Sequence, residues 1–194
     1  MRKRIIFATG NQKKMKEIRE ILADLDYEIL SMKEAGVEID IVEDGTTFEE
    51  NALIKASAIA EVTGDLVLAD DSGLEIDYFD KAPGVYSARY LGVDTPYETK
   101  NRIILERMEG VEESKRTARF VCVIAAVFPD GTKKTVRGTI EGRIAYESKG
   151  ENGFGYDPIF FLPEYGMTSA EISPEEKNRI SHRGKALQKI KEML

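Results

Sequence analysis

Arg4-Ile-Ile-Phe-Ala8-Thr-Gly-Asn11-Gln-Lys-Lys-Met15-Lys-Glu-Ile18-Arg-Glu-Ile-Leu22-Ala-Asp-Leu25-Asp-Tyr27-Glu-Ile-Leu30 is the stretch that decides the fold. Arg4–Ala8 is short and apolar, as a buried strand is. Asn11 is a helix-capping residue, and Met15, Ile18, Leu22 and Leu25 recur behind it at helical spacing. Tyr27–Leu30 returns to strand character. A strand, a helix and a second strand in immediate succession predict an α/β fold that opens with a parallel pair.

Working outward, Thr47–Val62 reads as a second helix. Thr47 and Glu50 form a capping box, Phe48, Ala52, Ala56 and Ile59 line one face, and Gly64 ends it. Glu49 and Glu50 are assigned to capping. Leu66–Ala69 is a short buried strand that ends at Asp70-Asp71-Ser72-Gly73. Thr95–Met108 reads as a third, more polar helix. Arg119–Phe128 is continuously apolar, as a strand buried on both faces is, and Pro129-Asp130-Gly131 supplies a turn. The return strand alternates Val136, Gly138, Ile140, Gly142 and Ile144 against polar residues, so the sheet is mixed. Ser173-Pro-Glu-Glu176 opens a last helix running to Leu194, with Gly184 as the point where it can break.

The 194 residues correspond to one domain at roughly 150 residues per domain, and no linker or repeat divides the chain. The single cysteine, Cys122, lies among apolar neighbours and reads as a buried structural thiol. A net charge of −7 excludes a general nucleic-acid binder, though not a small polyanion held by local cations. The basic start, Met1-Arg-Lys-Arg4, precedes only four apolar residues, too few for a secretory signal of about 7–15. No stretch approaches the roughly 18 apolar residues of a membrane span. A soluble cytoplasmic protein is expected.

Chemistry is sought where local rules break. Lys13 and Lys14 occupy a first helical turn, where cations are disfavoured. With Gly10 and free backbone amides they form either a phosphate cradle or an ordinary solvated helix start. Asp70 and Asp71 repel one another at a strand end, where ligands of open α/β sheets bind, and suit a hard ion such as Mg²⁺. The alternative is a plain Asp-Ser-Gly turn. Glu43 is either loop solvation or a further metal carboxylate. Asn51 and Lys55 share a helix face and can reach a common ligand. Gly153-Phe-Gly-Tyr-Asp-Pro158 carries aromatics on a flexible backbone, suited to stacking a base or to a buried turn. His182, the sole histidine, lies next to Arg183 and a few residues from Lys177, either solvated or part of a donor cluster.

Six segments in this order resemble the Ham1-type inosine triphosphate pyrophosphatase family across essentially the whole chain. They are Thr9-Gly-Asn-Gln-Lys-Lys14, Thr47-Phe-Glu-Glu-Asn-Ala52 with Lys55-Ala56, Ala69-Asp-Asp-Ser-Gly-Leu74, Ala82-Pro-Gly-Val-Tyr-Ser-Ala-Arg89, Gly153-Phe-Gly-Tyr-Asp-Pro158 and Ser181-His-Arg-Gly184. The resemblance implies an elongated two-lobed α/β fold, with a long central mixed sheet flanked by helices and a cleft between the lobes. It implies a homodimer that uses Mg²⁺ to hydrolyse ITP, dITP and XTP to the monophosphate and pyrophosphate. Carried over by motif, Thr9, Gly10, Asn11, Gln12, Lys13 and Lys14 hold the triphosphate. Glu43 and Asp71 bind metal, Asp71 also accepts the proton of water, and Ser72 touches substrate. Phe154, Gly155, Tyr156, Asp157, Lys177, His182 and Arg183 form the nucleoside pocket. Tyr78-Phe-Asp-Lys81 departs from the family, whose members carry small residues and glycine there. Rival readings are a Maf-type pyrophosphatase of pyrimidine or modified nucleotides, and a nucleotide sensor without turnover.

Overall fold

The computed structural model describes residues 3–194, so the first two residues of the basic start lie outside it. Twelve regular elements follow in the order β1 (Lys3–Phe7), α1 (Gln12–Ile21), β2 (Tyr27–Ser31), α2 (Phe48–Thr63), β3 (Leu66–Ile76), α3 (Tyr97–Arg107), β4 (Thr117–Val127), β5 (Lys133–Ile144), β6 (Phe160–Leu162), β7 (Met167–Thr168), α4 (Pro174–Ile180) and α5 (His182–Lys191). The strands are ordered β2-β1-β3-β4-β5-β6-β7. β1 runs parallel to β2 and β3, whereas β6 runs antiparallel to β5 and β7, so the α/β fold has the mixed sheet expected of it. No helix among the described residues is long and apolar enough to cross a membrane.

The chain packs as two compact units. The first runs through Asp71 and takes in Cys122–Gly138 and Arg183–Leu194; the second comprises Ser72–Val121 and Thr139–His182. In the first, Ile5 and Phe7 of β1, Met15, Ile18 and Leu22 of the α1 stretch, and Leu187 and Ile190 of α5 share one core with Cys122. In the second, Leu74 and Ile76 pack with Ile104, Phe120, Ile144 and Phe160.

Of the boundaries that differ from the sequence reading, two bear on the candidate site. β3 does not end before the aspartates but runs through Asp70-Asp71-Ser72-Gly73 to Ile76. Gly73 allows this, because a Cβ there would lie 2.3 Å from the Gly84 carbonyl oxygen, while the Leu74 N–H donates to Ser87 Oγ at 2.9 Å. The C-terminal helix breaks at Ser181, not at Gly184. Ser181 takes extended backbone (φ −67, ψ 161) between α4 and α5, a geometry serine favours ahead of a helix, and Gly184 lies within α5.

Candidate functional site

The first unit gathers charge where α2 faces β3. Lys55, on α2, donates from Nζ to the Asp70 backbone carbonyl at 2.5 Å and lies 3.0 Å from Glu43 Oε1 and 3.9 Å from Asp71 Oδ1. Burial alone would depress this ammonium, but Asp70, Asp71 and Glu43 together raise its pKa. Asn51, one turn earlier, accepts the Gly45 N–H at 2.9 Å and so tethers the loop bearing Glu43.

The pKa values of the adjacent aspartates are shifted in opposite directions, by different neighbours. Asp70 is fully buried, yet Lys14, Arg183 and Lys55 overcome the burial penalty and hold it well below the usual carboxylate range. Asp71 is pushed up to about 6, first by burial and then by Asp70 and Glu43, against the pull of Lys55 and the Asn51 side chain. Its Oδ2 is buried with no hydrogen-bond partner among the described residues.

The Thr9–Lys14 turn is more occupied than the sequence suggested. Asn11 Oδ1 accepts the Lys13 and Lys14 N–H groups at 3.0 and 3.2 Å, and Thr9 Oγ1 accepts that of Asn11 at 3.1 Å. A capping asparagine thus takes the amides read as free. Those of Gly10 and Gln12 make no hydrogen bond among the described residues. Gly10, Gln12 and Lys13 are exposed. Lys14 Nζ instead donates to Asp70 Oδ2 at 3.0 Å. Arg183, 2% exposed, lies between Glu17 Oε2 at 2.5 Å and Asp70 Oδ2 at 3.7 Å.

Ser72 and the remaining nucleoside-side residues belong to the second unit. Asp157 is the hub of the 153–157 loop. It accepts the Phe154 N–H at 2.9 Å, Lys177 Nζ at 2.7 Å and Ser169 Oγ at 2.9 Å. The Lys177 ammonium also lies 4.8 Å from the Phe154 ring centre. Phe154 is half-buried and Tyr156 buried, so the loop does not present two exposed rings. Tyr156 spends its hydroxyl on the Ser87 carbonyl at 2.6 Å. His182 is buried, not solvated, and stacks on Phe120 with ring centres 4.8 Å apart. Lys177 thus meets Asp157, His182 stacks on Phe120 and Arg183 meets Glu17. Glu49, read as a cap, is held by Arg137 through two hydrogen bonds of 2.9 and 3.1 Å, because β5 brings a guanidinium alongside it.

Three residues enter from outside the sequence-derived site. Lys55 was signalled by its spacing from Asn51. Glu17 is an ordinary helical glutamate until Arg183 reaches it across 166 positions. Asn101, a poor helix former inside α3, donates to the Gly155 carbonyl at 3.1 Å.

The model of the Ham1 family matches residues 5–193. The chain is 50% identical over 191 residues to a dITP/XTP pyrophosphatase of Desulforamulus reducens, covering 98% of this chain and 95% of that one. It is 47% identical over 192 residues to a dITP/XTP pyrophosphatase of Bacillus subtilis, covering 99% and 97%. Among solved structures it is similar to a HAM1 protein from Coxiella burnetii, with a TM-score of 0.89 at 44% identity over 98% of each chain. The Staphylococcus aureus Ham1 protein gives 0.88 at 40% identity over 98% of this chain and 97% of that one. With its family model spanning nearly every residue and its relatives aligned end to end, the chain belongs to the Ham1 family.

Proposed function

We propose that the protein hydrolyses dITP, ITP and XTP to the monophosphate and pyrophosphate, clearing these nucleotides from the pool. The observation that carries this reading is the half-buried Asp71 carboxylate, whose buried Oδ2 has no partner among the described residues, beside Glu43 and Lys55, in a chain half identical to a dITP/XTP pyrophosphatase. Release of monophosphate and pyrophosphate breaks the α–β anhydride bond, and in this reading water attacks the α-phosphorus while pyrophosphate leaves. Asp71 accepts the proton of that water; a carboxylate near 6 is ionised at neutral pH and is a stronger base than an ordinary aspartate.

Glu43 and Asp71 fit Mg²⁺. The unpartnered Asp71 Oδ2 is a suitable ligand atom, and Mg²⁺ commonly takes one or two carboxylates with waters and phosphate oxygens completing its shell. Bound there, Mg²⁺ supplies charge neutralisation and a lower pKa for coordinated water.

The Thr9–Lys14 turn receives the triphosphate, with the Gly10 and Gln12 N–H groups as donors and Lys13 and Lys14 offsetting charge on the departing pyrophosphate. Ser72 contacts substrate beside Asp71. Phe154 offers a stacking face, and the 154–157 loop with Lys177, His182 and Arg183 supplies donors to a 6-keto purine. Adenine, with an amino donor at that position, leaves such donors unpaired and is rejected. The protein works as a cytoplasmic homodimer on free nucleotides; its net charge of −7 suits neither nucleic acid nor an anionic membrane.

Incubation with ITP, XTP, dTTP, GTP and ATP, in Mg²⁺ and in EDTA, tests the reading. Metal-dependent IMP or XMP with pyrophosphate is expected, with little turnover of the other three. Orthophosphate with a nucleoside diphosphate would place cleavage at the β–γ bond and overturn the mechanism.

A further inference from the structure

Helix α3 carries none of the residues singled out from sequence, yet it presents Tyr97 and Asn101, one turn apart, to the 153–157 loop. The Tyr97 ring meets Tyr156 edge-on with centres 5.1 Å apart, and Asn101 Nδ2 donates to the Gly155 carbonyl at 3.1 Å. A carbonyl only accepts, so the Asn101 amide has one orientation. Its Oδ1 faces away, buried and without a hydrogen-bond partner among the described residues. An unpaired buried acceptor costs stability, and an apolar side chain of similar size would avoid that cost. Asn101 therefore serves something besides packing.

The Gly155–Tyr156 peptide shows what it serves. The bond is trans, so its C=O and N–H point in opposite directions. With Gly155 in left-handed backbone at φ +65 and its carbonyl held by Asn101, the Tyr156 N–H is fixed on the far side. The Tyr156 hydroxyl, bound to the Ser87 carbonyl, anchors the same residue from its other end. Neither the Gly155 nor the Tyr156 N–H makes a hydrogen bond among the described residues. A fixed, unspent N–H selects an oxygen acceptor and opposes an amino group.

We infer that Asn101 is a positioning residue that sets purine selectivity, by aiming the Tyr156 N–H at the 6-keto oxygen of hypoxanthine or xanthine. This rests on the nucleotide reading above.

Asn101→Leu removes the tether and the unpaired acceptor together. The melting temperature holds or rises, while the kcat/KM ratio for dITP over dATP falls at least tenfold, through KM more than kcat. Calorimetric binding of IMP and AMP, independent of turnover, loses its preference for IMP by a similar factor. Asn101→Ser, too short to reach Gly155, repeats the measurement should the leucine variant not fold. A folded variant that keeps the wild-type IMP-to-AMP preference overturns the inference. Wild-type protein that treats dITP and dATP alike overturns the nucleotide reading instead, a result visible before any variant is made.

Discussion

Lys14 donates to Asp70 Oδ2 at 3.0 Å, tying the first turn of α1 to the strand that carries Asp71. Asp70 is 0% exposed and also faces Arg183, so neutralising it takes a countercharge from both cations in a dry setting. Asp70→Asn is expected to cost about 3–5 kcal/mol, the range for breaking a buried ion pair from one side. Urea unfolding followed by circular dichroism checks this: the midpoint falls while the slope stays unchanged. A midpoint equal to wild type would show that Lys14 and Arg183 do not depend on Asp70.

Asp71 makes stability depend on pH in the opposite sense to an ordinary salt-bridged carboxylate. Its folded pKa of about 6 exceeds the unfolded value of about 3.9, so the folded chain holds an extra proton between those limits. Stability conferred by that proton is complete below about pH 4 and is lost as pH rises through about 6. Asp71→Asn, which does not ionise, should gain on wild type by on the order of 1–2 kcal/mol at pH 8 in EDTA, and by little at pH 4. Melting curves across that range test the sign. The same variant should lose at least about a hundredfold in kcat, as removal of a general base does.

Gly73 has no room for a side chain. The Cβ of Gly73→Ala would lie 2.3 Å from the Gly84 carbonyl oxygen and 2.7 Å from Ser87 Oγ. Backbone on one side and a bonded hydroxyl on the other leave no soft neighbour to yield. A loss of about 1–3 kcal/mol is expected, with kcat/KM down at least tenfold because Asp71 and Ser72 adjoin the displaced strand. Denaturant titration and nucleotide kinetics on one preparation read both effects.

Asp80 and Lys81 occupy left-handed backbone, at φ 51 and 70, a conformation that glycine adopts without strain. Lysine gains nothing local from that conformation. Its ion pair with Asp77 at 2.9 Å is exposed and contributes little. Lys81→Gly should therefore stabilise by about 0.5–1 kcal/mol, after the entropy glycine adds to the unfolded chain. In a chain of this size calorimetry would show a rise of about 2 °C.

Cys122 is fully buried and its thiol is pushed up to about 12, chiefly by burial. The thiolate is the reactive form, so disulfide reagents should leave the native protein untouched. Labelling in rising urea should follow the unfolding curve. Modification at the rate of a free thiol in buffer would place Cys122 at the surface.

Features governed by neighbouring residues were legible in the sequence. The Asn11 cap, the Thr47 cap with Gly64 closing α2, and Ser173-Pro174 at the start of α4 all appear where spacing puts them. Features governed by distant partners were not. Asp-Ser-Gly has turn chemistry, and only the approach of Gly84 and Ser87 draws it into a strand. The sequence left the aromatics of the 153–158 loop open between base stacking and a buried turn; Tyr156 proves buried, its hydroxyl donating to the Ser87 carbonyl 69 positions away. β6 and β7 are three and two residues long and carry no periodic signal; pairing alone defines them. At the candidate site the residue types were legible, but their partners were not.

Lys55 is an ammonium already in use, with Glu43, Asp71 and the Asp70 carbonyl around it. An anion arriving there exchanges partners instead of gaining one. Inorganic phosphate or sulfate has little to offer in such an exchange, since the displaced carboxylates would be left repelling each other and the newcomer. A ligand that brings its own countercharge can settle both sides of the trade.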